Sequence, residues 1–187
     1  MPNSYPKTIT LGSGKLYIQE FDGSTIPEID TMCVEANILG LVSGGATLTY
    51  TPSFYEATDD LGYAKKNVMT AEEVTLTTGV CTFNGDTLSK LTSTARVTEA
   101  TGKRTVKIGG TANDDGKSYA LCFHHEDARD GDKWVQIVGR NQAGFSLAFT
   151  KDKETVIDTE FKAEPMDGEG TLVVYTEEDA SVTGPTE

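Results

Sequence analysis

Histidine, tryptophan and cysteine are scarce in this 187-residue chain, which has two, one and three of them. Two histidines leave little material for imidazole catalysis or a histidine-rich metal centre. No G-x-S-x-G elbow and no Cys–His context is present, so nucleophilic catalysis has no visible machinery and the chain is not expected to be an enzyme. Cys33, Cys81 and Cys122 form no C-x-x-C pair. An odd, scattered set predicts reduced thiols made in a cytosol and acting as small buried apolar residues. Cationic residues are also outnumbered: 16 Lys and Arg stand against 29 Asp and Glu, a formal net charge of −13. That balance argues against nucleic-acid binding by phosphate neutralisation, which needs clustered cations. No apolar run approaches a membrane span. The opening Met1-Pro-Asn-Ser-Tyr-Pro lacks a basic segment followed by an apolar one, so no signal peptide is expected.

Two stretches come near a functional motif. Gly110 to Ser118 brushes against a phosphate-binding loop, but five residues separate its glycines, Asp114 and Asp115 would face the phosphate, and a strand follows. A turn is the better reading. His124-His125-Glu126-Asp127, followed by Asp130 and Asp132, suggests a metal. Adjacent strand residues point to opposite faces, so the two histidines do not readily share an ion. No metal and no cofactor is expected.

What the chain does have is alternation. Lys15–Phe21 alternates and predicts a strand. Ile26–Ser43 reads as an extended excursion with a short strand. Ala46–Thr51 and Glu72–Thr78 are alternating strands, with Leu48, Tyr50, Val74 and Leu76 on one face. Thr47, Thr49, Thr51, Glu73, Thr75 and Thr77 lie on the other. Between them Pro52–Ala71 reads as a hairpin loop of about twenty residues, rich in aromatics. Such a loop is a packed Ω-loop or a surface made to meet something else. The phase slips at Thr77–Gly79, which predicts a β-bulge. One helix is expected over about 85–95, capped by Asn84 or Asp86, with Leu88 and Leu91 packed on a sheet. Further strands are expected at Arg104–Ile108, Ser118–His125, Lys133–Gly139, Gly144–Thr150, Thr155–Ala163 and Thr171–Tyr175. In the fifth of these, Ile157 and Phe161 oppose Asp158 and Glu160.

The layout is therefore mainly β: a β-sandwich or barrel of antiparallel strands with one flanking helix and a long hairpin loop over 52–71. Residues 1–14 read as an N-terminal arm, 15–176 as one β domain, and 177–187 as an acidic, flexible C-terminal tail.

This order, together with Gly45-Ala-Thr-Leu-Thr-Tyr-Thr-Pro52, Thr70-Ala-Glu-Glu-Val-Thr-Leu76 and Asp158-Thr-Glu-Phe-Lys-Ala-Glu-Pro165, resembles the tail tube (major tail) proteins of tailed bacteriophages over roughly residues 15–176. The resemblance implies a structural virion protein. Six copies would close into a ring, and rings would stack into a tube that conducts DNA and the tape measure protein during genome ejection. It further implies assembly in the bacterial host cytoplasm, a place in the virion tail, and contacts with tape measure, tail terminator and baseplate proteins. DNA would pass without specific binding, and no membrane would be involved. On that resemblance Thr47, Thr49, Thr51, Glu73, Thr75, Thr77, Asp158 and Glu160 are candidates for the channel wall. An acidic wall repels phosphates and so does not hold DNA. Phe54, Tyr55, Leu61 and Tyr63 are candidate anchors on the next ring, with Asp59, Asp60, Lys65 and Lys66 as ion pairs that set register. Two alternatives stand beside this reading. One is the tube protein of a contractile tail, tailocin or secretion system. The other is a carbohydrate-binding or adhesion module in which Trp134 and the loop tyrosines stack on sugars.

Overall fold

In the computed structural model, which describes residues 12–179, nine strands make up most of the regular structure. They are β1 (Lys15–Glu20), β2 (Ile38–Thr58), β3 (Lys65–Val80), β4 (Arg96–Ala100), β5 (Lys103–Lys107), β6 (Tyr119–His125), β7 (Lys133–Asn141), β8 (Ile157–Glu164) and β9 (Val174–Glu177). Two short helices accompany them, α1 (Ile29–Met32) and α2 (Gly85–Lys90). Seven strands form one antiparallel sheet in the order β6-β1-β2-β3-β8-β7-β9, and β6 also pairs with β7. That extra pairing closes six strands into a barrel. The mainly β, sandwich-or-barrel expectation therefore holds.

Alternation fills the barrel. Leu16 and Ile18 of β1, Val74, Leu76 and Val80 of β3, Leu121 of β6, Ile137 of β7 and Ile157 and Phe161 of β8 form one buried interior cluster. Fully burying a side chain of this kind contributes about 1.5–3 kcal/mol. Two inward hydroxyls are satisfied by backbone carbonyls: Thr159 Oγ1 donates to Thr78 O at 3.0 Å and Thr78 Oγ1 to Gly45 O at 3.0 Å. The intervening residues of β1, β6 and β7 point outward, yet Tyr17, Ala120, Cys122 and Val138 are buried too. Met32 of α1 and Met166 of the turn before β9 cover them. The outer wall is thus covered on its β1–β6–β7 side and open on its β2–β3–β8 side.

Several expectations change. Pro52–Ala71 is not a loop. β2 and β3 run as a paired ladder from Val42↔Val80 to Thr58↔Lys65, which leaves only residues 59–64 as the turn. β-Branched and aromatic residues at Tyr55, Thr58, Val68 and Thr70 extend the strands, and Pro52 lies where a neighbouring strand is absent. The bulge lies at the expected level but on the opposite strand: Gly44 and Gly45 of β2 intervene between Ser43↔Gly79 and Ala46↔Thr78. Both have φ near +80°, a conformation that glycine adopts without strain. β3 keeps its phase through Val74, Leu76, Thr78 and Val80, and Cys81 simply begins the next connection.

The helix is α2, shorter than 85–95. Asn84 caps it by accepting from the Asp86 and Thr87 N–H groups, and Thr87 completes a capping box. Leu91 is buried and Leu88 half-buried against the interior cluster. Within 26–43, a helix and a 3-10 turn (Glu35–Asn37) replace the expected extended path, because Met32 is drawn into the outer cluster. Residues 144–150 form no strand: no ladder partner lies beside them among the described residues, and Phe149 is exposed. The Lys151–Lys153 turn is held instead by side chains, with Thr150 Oγ1 donating to Lys153 O and Thr155 Oγ1 to Ala148 O. Arg104–Ile108 belongs to a separate β4–β5 hairpin. The expected N-terminal arm falls mostly on residues 1–11 and the expected C-terminal tail mostly on 180–187, both outside the described residues.

Gly139 marks where β7 passes from β9 to β8. A Cβ there would stand 2.0 Å from the Lys162 carbonyl oxygen. Gly139→Ala should therefore destabilise the fold by about 2 kcal/mol or more, read by urea denaturation. An unchanged midpoint would mean that the closure is looser than described.

Turn aspartates supply a second test. Backbone N–H donation from Arg129 and Asp130 lowers the Asp127 carboxyl, and that from Asp127, with His124, lowers Asp132. The Gly116 N–H lowers Asp114 in the same way, and Thr171 lowers Asp167 through its hydroxyl first and its N–H second. Because the folded values lie below the unfolded 3.8, this stabilisation is present above pH 3.8 and lost as pH falls through the folded values. Thermal melts followed by circular dichroism should show a midpoint that is flat from pH 7 to 5 and falls steeply below about pH 3.8.

Candidate assembly surface

Antiparallel partners share a face. The register therefore places the eight polar wall candidates on one continuous surface of β2, β3 and β8. Its rows are Thr47–Thr77–Glu160, Thr49–Thr75–Lys162, Thr51–Glu73 and Gly79–Asp158. Thr75 and Thr77 are half-buried and the other six are exposed. A concavity of about 380 Å³ opens where the Gly44–Gly45 bulge meets Asp158 and Glu160.

The surface is less acidic than expected. Lys162 Nζ lies 2.6 Å from Glu73 Oε2, in the middle of the rows. Sequence reasoning missed Lys162, although it continues the alternation that picked out Asp158 and Glu160. Asp158 and Glu160 have no ion pair among the described residues. An exposed pair such as Glu73–Lys162 contributes little to stability, because water screens both charges.

Beyond the barrel, β2 and β3 continue as a two-stranded arm. β1 pairs with β2 only over Ile38–Leu41, and β8 pairs with β3 only over Thr75–Val80. From Tyr50↔Val74 to Thr58↔Lys65 both outer edges of the ribbon lack a strand partner among the described residues. Thr51–Thr58 alone spans roughly 25 Å at about 3.3 Å per residue. Phe54↔Met69 and Tyr55↔Val68 are successive rungs, so each face of the arm carries an apolar pair. Phe54, Tyr55, Leu61 and Tyr63 are 59%, 63%, 75% and 88% exposed, which rules out a self-packed Ω-loop.

The four charges near the tip divide. Asp59 builds the turn, where its Oδ1 accepts from Ala64 N at 2.7 Å and its carbonyl from Gly62 N at 2.9 Å. Lys65 pairs within the arm with Glu56 at 3.1 Å. Asp60 and Lys66 are exposed and make no ion pair among the described residues.

The histidines diverge, as adjacent strand residues must. His124 stacks on Trp134 with ring centroids 4.9 Å apart and bonds Asp132 Oδ2 through Nε2 at 2.8 Å. His125 Nδ1 meets Ser13 O at 2.9 Å on the other side. Asp127 Oδ1 accepts from the Arg129 and Asp130 N–H groups, and Asp132 Oδ1 from that of Asp127, within the 127–132 turn. Trp134, a candidate sugar platform, gives one ring face to His124 and buries its Nε1. No helix among the described residues is long and apolar enough to cross a membrane. No family model and no curated protein matches the chain.

Lys162→Ala should cost no more than about 1 kcal/mol, a melting shift of a few degrees. A loss above about 2 kcal/mol in thermal melts would show that the pair is a structural clamp.

Proposed function

We propose that this chain is a self-assembling structural protein, the tube subunit of a phage tail, in which six copies close a ring and rings stack into a conduit. The observation that carries this reading is the arm, a ribbon whose two edges have no strand partner among the described residues and whose two faces both expose apolar residues. Unpaired edges template further strands, and natural sheets blunt them with charges, proline or covering loops. Here Pro52 is the only proline in the ribbon, Glu56, Lys65, Lys66, Glu72 and Glu73 are its charges, and eight of its nineteen positions are Thr, Val or aromatic residues. Joining such edges around a rotation axis makes a heterologous contact that closes and leaves no free strand.

In a ring of this kind the rows of Thr47, Thr49, Thr51, Thr75 and Thr77 line the passage with hydroxyls. Asp158 and Glu160 add negative charge, and Lys162 is held by Glu73. A hydroxyl-rich wall without free cations offers phosphates no counterion-releasing contact. The distal apolar side chains Phe54, Tyr55, Leu61 and Tyr63 reach the next ring and supply the stacking contact. Tape measure, terminator and baseplate partners, and a place in the virion tail, follow from the resemblance.

Negative-stain microscopy of concentrated protein tests the assembly. Rings or tubes about a hundred ångströms across are expected, an extent set by domain size. Single chains at every concentration would overturn the reading. A variant in which Asn-Gly replaces residues 54–69 should keep the barrel's melting midpoint while abolishing stacking. Unchanged tubes would remove the arm from the contact.

A further inference from the structure

Cys33 and Cys122 lie 89 residues apart in the chain, yet their sulfurs are 3.5 Å apart. Cys33 is the C-cap of α1, and Cys122 is a fully buried outward residue of β6. Both backbones are fixed independently. Met32, next to Cys33, is completely buried, and its carbonyl accepts from Asn37 Nδ2 at 3.0 Å. Gln136 Nε2 of β7 donates to Pro27 O at 2.9 Å, which ties the segment before α1 to the barrel. A disulfide needs sulfurs about 2.05 Å apart, so the pair must close by roughly 1.5 Å, a distance that rotation about χ1 covers.

The pair is reachable from one side. Cys33 is half-buried and lines a cleft of about 400 Å³ with Tyr17, Asp30, His124 and Trp134. We propose that Cys33 and Cys122 are a disulfide-forming site, oxidised by exchange with a small disulfide that enters this cleft. The Cys33 thiolate attacks one sulfur of glutathione disulfide, breaks its S–S bond and releases one glutathione. The Cys122 sulfur then attacks the Cys33 sulfur of the mixed disulfide and expels the second glutathione. Two protein thiols are oxidised, one glutathione disulfide is reduced to two glutathiones, and the two thiol protons end on them.

The order follows from exposure. Their shared hydrogen bond lowers the pKa of Cys33 and, with burial, raises that of Cys122, so Cys33 ionises first. The product ties α1 to the barrel wall and closes a loop of about ninety residues, which restricts the unfolded chain. Cys81 stands apart, its thiol donating to Leu41 O at 3.2 Å. The inference does not depend on the tube reading.

The three cysteines fall in separate tryptic peptides, so the linkage can be mapped directly on the unmodified chain. Reduced protein incubated with glutathione disulfide, alkylated and digested without reductant should give a Cys33–Cys122 linked peptide and an alkylated Cys81. Its melting midpoint should rise by about 5–15 °C over the reduced form, and reductant should reverse the shift. Cys33→Ser, at the half-buried position, should show neither link nor shift. Three alkylated cysteines, a lasting glutathione adduct on Cys33 with Cys122 free, or a link through Cys81 would each overturn the proposal.

Discussion

The pairing of β6 with β7 is the contact on which the rest depends. Without it the sheet is open, and β6 and β7 present raw edges where Leu121 and Ile137 now complete the interior. An open sheet of this size would need a second layer to bury its apolar face. Closure lets six strands bury that face against themselves. It also leaves the outer wall free for two uses, a covered half under α1 and an uncovered half on β2, β3 and β8.

That division explains the otherwise puzzling sequence of β6. Tyr119, Leu121 and Phe123 alternate as a half-buried strand should, but Ala120 and Cys122 between them are apolar as well. Such a strand is covered on both faces. β3 and β8 instead alternate cleanly where they pair, and their polar residues meet water. The face proposed to line a channel is the one for which the barrel has no internal cover.

Much of this was legible in the chain. The outward rows were readable because period-2 alternation is local: Thr47, Thr49 and Thr51 oppose Leu48 and Tyr50 whatever their partners are. The helix start was readable to within two residues, as Asn84 or Asp86, because a capping side chain serves its own helix. The failures share a cause. The arm looked like a loop because its stability comes from cross-strand pairing between residues such as Phe54 and Met69, which no single window contains. Residues 144–150 looked like a strand because Phe145, Leu147 and Phe149 alternate, yet no neighbour among the described residues offers a ladder. Cys33 and Cys122 looked unrelated because only the closed barrel brings α1 onto β6. Lys162 was in plain view, but its pairing with Glu73 needs the β3–β8 register.

The two glycines that interrupt β2 have one more effect, which is a matter of parity. In a strand every odd insertion exchanges the two faces and every even one restores them. Gly44 and Gly45 add two residues against none on β3, so Val42 and Ala46 both still turn to the interior cluster. Loss of one glycine would leave an odd insertion, which β2 must absorb as a one-residue bulge, as β3 does at Thr70, or else Leu48 passes to the outer wall and Thr47 to the inner side. The number of residues in the bulge, as much as their conformation, decides which side of this protein its surroundings meet.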